Sequence, residues 1–194
     1  MFKKVTEDAI LPTRGSKYSA CVDVYANEDV TIGAGETKLV GLGIAIDEID
    51  KNCFILNYIE KQHNLVNVDD EKYFLDNFKK SHYIQLMLRS SLSKKGLILP
   101  NGVGVIDLDF EDEIKMIIHN PIAYVFNEEN TDLSLKTYSY SDREDLIIES
   151  FEIKKGDRIG QLTLLEHKSY LFGIESEDER VGGFGSTDKK ENNV

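Results

Sequence analysis

Close spacing of short apolar runs is the feature that most limits what this chain can fold into. Residues 21–26 are β-branched and aromatic, 30–32 form a second run, and Gly33-Ala34-Gly35-Glu36 is a turn. Residues 37–40 and 43–46 follow at once, the strand–turn rhythm of a sandwich or barrel. Runs at 83–88, 97–99, 114–118, 146–148, 151–153 and 158–165 keep the same texture. No strand–helix alternation points to a parallel α/β sheet, so the expected class is all-β. At 194 residues the chain suits a single domain, 1–194, with room for a substantial core.

Two stretches break the rhythm. Residues 69–80 begin with acids and end with lysines, which complements a helix dipole, and Phe74 and Phe78 at i, i+4 share a face. This predicts a short surface helix. Residues 127–143 are polar and aperiodic, and a loop of that length inside a compact domain is usually functional or disordered. From about residue 175 the chain is acidic and then glycine-rich.

The net charge of −12 excludes a broad basic footprint for stable nucleic-acid binding or for an anionic membrane surface. An anionic ligand would have to be held by a few local cations, backbone N–H groups and a metal ion. Cys21 and Cys53 lack metal-binding or redox spacing, and a reducing compartment is expected. The first residues carry charge without an apolar core for a signal peptide, and no run reaches membrane-spanning length. The expected location is the cytoplasm, or the host cytoplasm for a phage-encoded chain. His63, His82, His119 and His167 show no ligand spacing.

Residues 101–110 combine the elements of a small-molecule site. Pro100-Asn101-Gly102 is turn chemistry, and Val103-Gly104-Val105-Ile106 is a strand in which Gly104 allows another group to approach the backbone. Asp107 and Asp109 close the run, with Phe110 after them. A hairpin with an open backbone edge and a terminal acid suits a pocket with a general base. The same residues also suit a plain β-hairpin dipping two acids into water.

Five segments in order resemble the motifs of the trimeric dUTP pyrophosphatase (dUTPase) family. They are Ser19-Ala20-Cys21-Val22-Asp23-Val24-Tyr25-Ala26, Arg89-Ser90-Ser91-Leu92-Ser93, residues 101–113, Gly156-Asp157-Arg158-Ile159-Gly160-Gln161-Leu162, and residues 180–187. Each alone is weak; their order across 19–187 is specific. The resemblance implies a distorted jelly-roll-like β-barrel that forms a homotrimer, with each site drawing motifs from neighbouring subunits. It implies hydrolysis of dUTP to dUMP and pyrophosphate with Mg²⁺.

Residue by residue, the resemblance makes Asp107 the general base that directs water at the α-phosphorus. Arg89, Ser90 and Ser91 would meet the phosphates, Gln161 would donate to one, and Asp23 would hold waters of the Mg²⁺. Asn101, with Gly104 and the backbone of Val105 and Ile106, would read the uracil edge, rejecting cytosine by donor–acceptor mismatch. Phe110 would pack under the deoxyribose, and Lys115 would follow on the same strand against the nucleotide. In the arm, about 175–194, Phe184 would stack on the base while Arg180, Gly185, Ser186 and Thr187 close over the triphosphate.

Against the family pattern, Cys21 and Asp112 replace glycines, Phe110 replaces a tyrosine, and Asp188 replaces a final glycine. Arg180 stands one residue closer to the glycines than usual. Two segments, about 51–82 and 127–149, read as insertions relative to compact members, and by analogy they form a surface for a regulatory protein partner. Two alternatives stand beside this reading. A dCTP deaminase of the same fold needs a glutamate where Ile117 stands, and a non-catalytic nucleotide-sensing regulator would keep the fold without turnover.

Overall fold

The structure, a computed structural model, describes residues 1–47, 68–121 and 150–174. Every strand pairing among them is antiparallel. β1 (Phe2–Lys4) lies against β6 (Ile44–Ile46), β4 (Val30–Ile32) against β10 (Phe151–Ile153), and β5 (Thr37–Gly41) against β9 (Lys115–His119). The largest sheet has five strands in the order β2 (Thr13–Arg14), β3 (Val22–Tyr25), β11 (Arg158–Glu166), β7 (His82–Leu88), β8 (Gly104–Asp107). This is the all-β class expected from the spacing of the runs.

One core unites these sheets. Each of β3 to β11 sends a side chain into it, among them Val24, Ile32, Ile84, Ile106, Met116 and Ile159. Strand periodicity explains how. Along β9, Met116 and Ile118 are wholly buried while Lys115 and Ile117 point the other way. β6 does not alternate: Ile44, Ala45 and Ile46 are all buried, and β1 pairs along its edge. Gly160 lies where strands cross, and a Cβ there would come within 2.5 Å of Met116 Cε and 2.9 Å of Val24 Cγ2.

The helix expected over 69–80 is α1 (Val68–Ser81). Lys80 pairs with Asp76 one turn back at 2.7 Å, and Ser81 Oγ donates to the Asn77 carbonyl at 2.7 Å, closing the last turn. Phe78 packs against the core and stacks on His82, ring centroids 4.0 Å apart, so the helix is seated at the start of β7.

Three sequence expectations change. β1 and β2 were not foreseen, since Lys3, Lys4, Thr13 and Arg14 are polar and the pairing that makes them strands is non-local. Residues 97–99 do not form a strand, and only Ile98 makes an isolated bridge, to His119. The 101–110 stretch is therefore not a tight hairpin with 97–99; β8 pairs with β7 instead. The expectations for 127–143, 146–148 and the 175–194 arm lie outside the described residues.

Candidate functional site

The first half of the site gathers at one end of β7. Asp23, on β3, is the one buried charged residue among the described residues, at 5 % exposure. Burying a carboxylate is costly unless it is paired, and three groups pair it. Arg89 Nε lies 3.3 Å from Oδ1, Arg158 Nη1 donates to Oδ2 at 3.4 Å, and Gln161 Nε2 donates to Oδ1 at 3.2 Å. Gln161 sits directly across from Asp23 in the β3–β11 ladder.

Arg158 and Gln161 are three positions apart and would face opposite sides of a regular strand. The ladder solves this with a bulge: Arg158 pairs with Tyr25 and Gly160 with Val24, leaving Ile159 as the extra residue. Both side chains then share Asp23's face. Ile159 is not wasted, for its carbonyl accepts the Arg89 N–H at 3.0 Å and its side chain is fully buried. Ser90 and Ser91 follow Arg89 as exposed residues of a single turn, α2 (Ser90–Ser93).

The second half lies along β8. This strand ends the five-stranded sheet, so its outer backbone edge meets no further strand among the described residues. Gly102, at φ 74°, makes the turn before it, its N–H bonding to the Leu99 carbonyl at 2.9 Å. A cavity of about 180 Å³ opens beside β8, lined by Asn101, Gly104, Val105, Ile106, Phe110 and Lys115 among others. Ligand pockets of drug-like size run to roughly 300–1,000 Å³, so this one suits a single ring rather than a whole nucleotide. Gly104 keeps the wall thin; a Cβ there would stand 3.0 Å from Leu86 Cβ. Phe110 is 7 % exposed and serves both core and cavity. Ile117 also lines the cavity, presenting an aliphatic group where the deaminase alternative needs an acid.

Asp107 is exposed at the end of β8, opposite Tyr83. Arg89 stands six positions beyond Tyr83 along an extended backbone, which at roughly 3.3 Å per residue is about 20 Å away. The two halves of the site are thus held at opposite ends of β7. Of the remaining expected residues, Arg180, Phe184, Gly185, Ser186 and Thr187 lie outside the described residues.

Two residues inside the quoted motif segments, given no role there, join the site. One is Arg158, whose placement depends on the bulge. The other is Glu113: its Oε1 accepts the Gly43 N–H at 2.8 Å and its Oε2 lies 3.5 Å from Lys115 Nζ at the cavity wall. Glu113 precedes β9 by two residues, and opposite charges two positions apart were the only sequence signal for the latter pair.

Asp23 was expected to hold magnesium-bound water. Both its oxygens instead face guanidinium and amide donors, and two cations beside it disfavour a third. The described residues contain no cluster of three or more metal-ligating acids, histidines or cysteines. As described, this carboxylate does not fit the ion.

No family model matches the chain. A deoxyuridine 5'-triphosphate nucleotidohydrolase of Debaryomyces hansenii is 30 % identical over 190 residues, covering 95 % of this chain and 84 % of the relative. That of Nautilia profundicola is 28 % identical over 192 residues, covering 96 % of both. In fold, the chain is similar to the dUTPase of phage phi11 of Staphylococcus aureus, solved with a structural Mg(II) ion, at a TM-score of 0.52 and 20 % identity over 95 % of this chain and 97 % of that one. Near-complete coverage by relatives of one activity, on an antiparallel β fold they share, places this chain in the deoxyuridine 5'-triphosphate nucleotidohydrolase family, the dUTP diphosphatases.

Proposed function

We propose that Asp107 is the general base that takes a proton from water as it attacks the α-phosphorus of dUTP, releasing dUMP and pyrophosphate. The observation that carries this is the placement of Asp107 at the end of an open-edged strand whose preceding residues line a ring-sized cavity. The open backbone edge of β8 along Val105 and Ile106 supplies hydrogen-bonding groups for uracil, and a mismatched edge leaves buried polar groups unpaired. Arg89 and Gln161 bind the phosphates and stabilise charge moving onto the pyrophosphate leaving group. Mg²⁺ belongs to this reading as an ion carried by the triphosphate, which keeps most of its ligands as phosphate oxygens and water.

About 20 Å of strand β7 separates Asp107 from Arg89 in one chain. Neighbouring phosphates are linked by single bridging oxygens, so the groups that act on them need to stand close together. A second copy that brings its cavity and Asp107 to the first copy's arginine meets that need, which supports the homotrimer and leaves the arm at 175–194 to close the site. A protein partner on the inserted segments, about 51–82 and 127–149, is the remaining part of the proposal. Purified protein incubated with dUTP, dCTP and dTTP, followed by pyrophosphate and ammonia release, tests the reading. Pyrophosphate from dUTP alone is expected; ammonia from dCTP would replace it with the deaminase. Solution mass tests the trimer, and deletion of residues 127–141 followed by loss of captured partners tests the partner surface.

A further inference from the structure

Asp23 has no place in the chemistry as described, yet it is buried, charged and in contact with Arg89 and Gln161, two of the groups proposed to meet the phosphates. We infer that Asp23 is a positioning residue that presets the phosphate-binding side chains, rather than a holder of magnesium-bound water. The inference rests on the reading that Arg89 meets the substrate's phosphates.

The geometry supports this on three counts. First, the carboxylate engages Arg89 through Nε, and a guanidinium keeps four more N–H donors on its two amino groups. An arginine held by that edge keeps its forked end for an oxyanion. Second, Arg158 and Arg89 approach the same carboxylate from opposite oxygens, at 3.4 and 3.3 Å. Without the negative charge between them, two guanidinium groups this close would repel and swing apart. With it, the cluster carries a net positive charge, two cations against one anion, in a chain of net charge −12. Third, the contacts come from three separate strands or strand ends: β3 carries Asp23, Arg89 follows β7, and Arg158 and Gln161 lie on β11. A carboxylate at their junction is placed to order them before substrate arrives, and preordering spares the rotamer entropy otherwise lost on binding.

The test is Asp23→Asn, which keeps an oxygen acceptor for Gln161 but removes the charge shared by the arginines. The probe is α,β-imido-dUTP, titrated calorimetrically against the full-length protein, once with Mg²⁺ and once in EDTA. Residues that orient the ligands of a metal site cost roughly 10–100-fold when lost, and a carboxylate that orients two phosphate-binding side chains is a comparable case. We expect weakening of that size by a similar factor in both conditions, and no further large loss when Arg89→Lys is added, since the two changes disable one unit. A defect confined to the Mg²⁺ titration would overturn the inference in favour of the ion, and affinity within about twofold of wild type in EDTA would overturn it outright. For a variant that does not fold, the wild-type protein gives the answer. The Nε–H nitrogen resonance of Arg89, assigned by its loss in Arg89→Lys, should be sharp and protected from solvent exchange without ligand. Free exchange of that proton would equally sink the inference. Wild-type protein that does not bind the analogue would remove the phosphate reading itself, whereas wild-type binding with unchanged affinity in Asp23→Asn removes only the role given to Asp23.

Discussion

Tyr83 and Asp107 are direct cross-strand partners on β7 and β8, and Arg89 lies at the far end of the same strand. That one register keeps the proposed base away from the phosphate-binding arginine of its own chain. It also makes Asp107 separable from substrate binding. Asp107→Asn should retain affinity for α,β-imido-dUTP within a few-fold while turnover falls by roughly 10²–10⁴, the usual worth of a positioned acid or base. Single-turnover kinetics beside calorimetry check this, and brisk turnover by the variant would take the role from Asp107.

Sites shared between copies predict complementation. Asp107→Asn and Arg89→Ala should each be nearly inactive alone. Co-refolded in equal amounts, they should regain activity, because some sites then combine an intact Asp107 from one copy with an intact Arg89 from another. A steady-state assay before and after mixing reads the outcome. Mixed oligomers as dead as their parents would mean that the site is built within one chain.

Glycine at two strand positions is fixed by space rather than by φ. Gly160→Ala places a methyl 2.5 Å from Met116 Cε and 2.9 Å from Val24 Cγ2 in the core. Overpacking of this kind costs roughly 1–3 kcal/mol, to be read from urea unfolding. Gly104→Ala meets only the Leu86 side chain, at 3.0 Å, and should disturb folding less. Because Gly104 lines the cavity, its substitution should raise KM for dUTP more than it lowers stability.

Asp8 supplies a pH-dependent tie between the N-terminal segment and the β10–β11 turn. Its hydrogen bonds to the Lys155 ammonium, chiefly, and to Thr6 hold its carboxyl below the ordinary value of 3.8. A group whose folded value is depressed contributes stability above its unfolded value and loses it as pH falls through the folded one. The thermal midpoint of Asp8→Asn should therefore trail wild type slightly at neutral pH, and the two should converge once pH falls below 3.8. Exposure of the pair to solvent keeps the effect small. A gap that widened in acid would show that Asp8 has been assigned the wrong partner.

Much of this protein is written locally. A short apolar, β-branched run marks β9 as a strand, although only the structure shows Met116 and Ile118 turned inward while Lys115 and Ile117 reach the cavity wall. Charge order and the Phe74–Phe78 spacing fix α1, and Asn-Gly turn chemistry fixes the entry to β8. Such features depend on neighbours within a few residues, so the sequence alone determines them, along with the order of motifs that marks the family. Tertiary structure decided the rest. β1 and β2 are strands only because β6 and β3 offer them partners. Arg158 reaches Asp23 only because Ile159 bulges out of the ladder, and no pattern of residue types announces a bulge. Asp23 became the anchor of two arginines, and Asp107 was set apart from Arg89, through pairings between strands far apart in the chain. Register is a property of two strands at once, and a single linear pattern specifies which face a side chain takes without specifying what it will meet there.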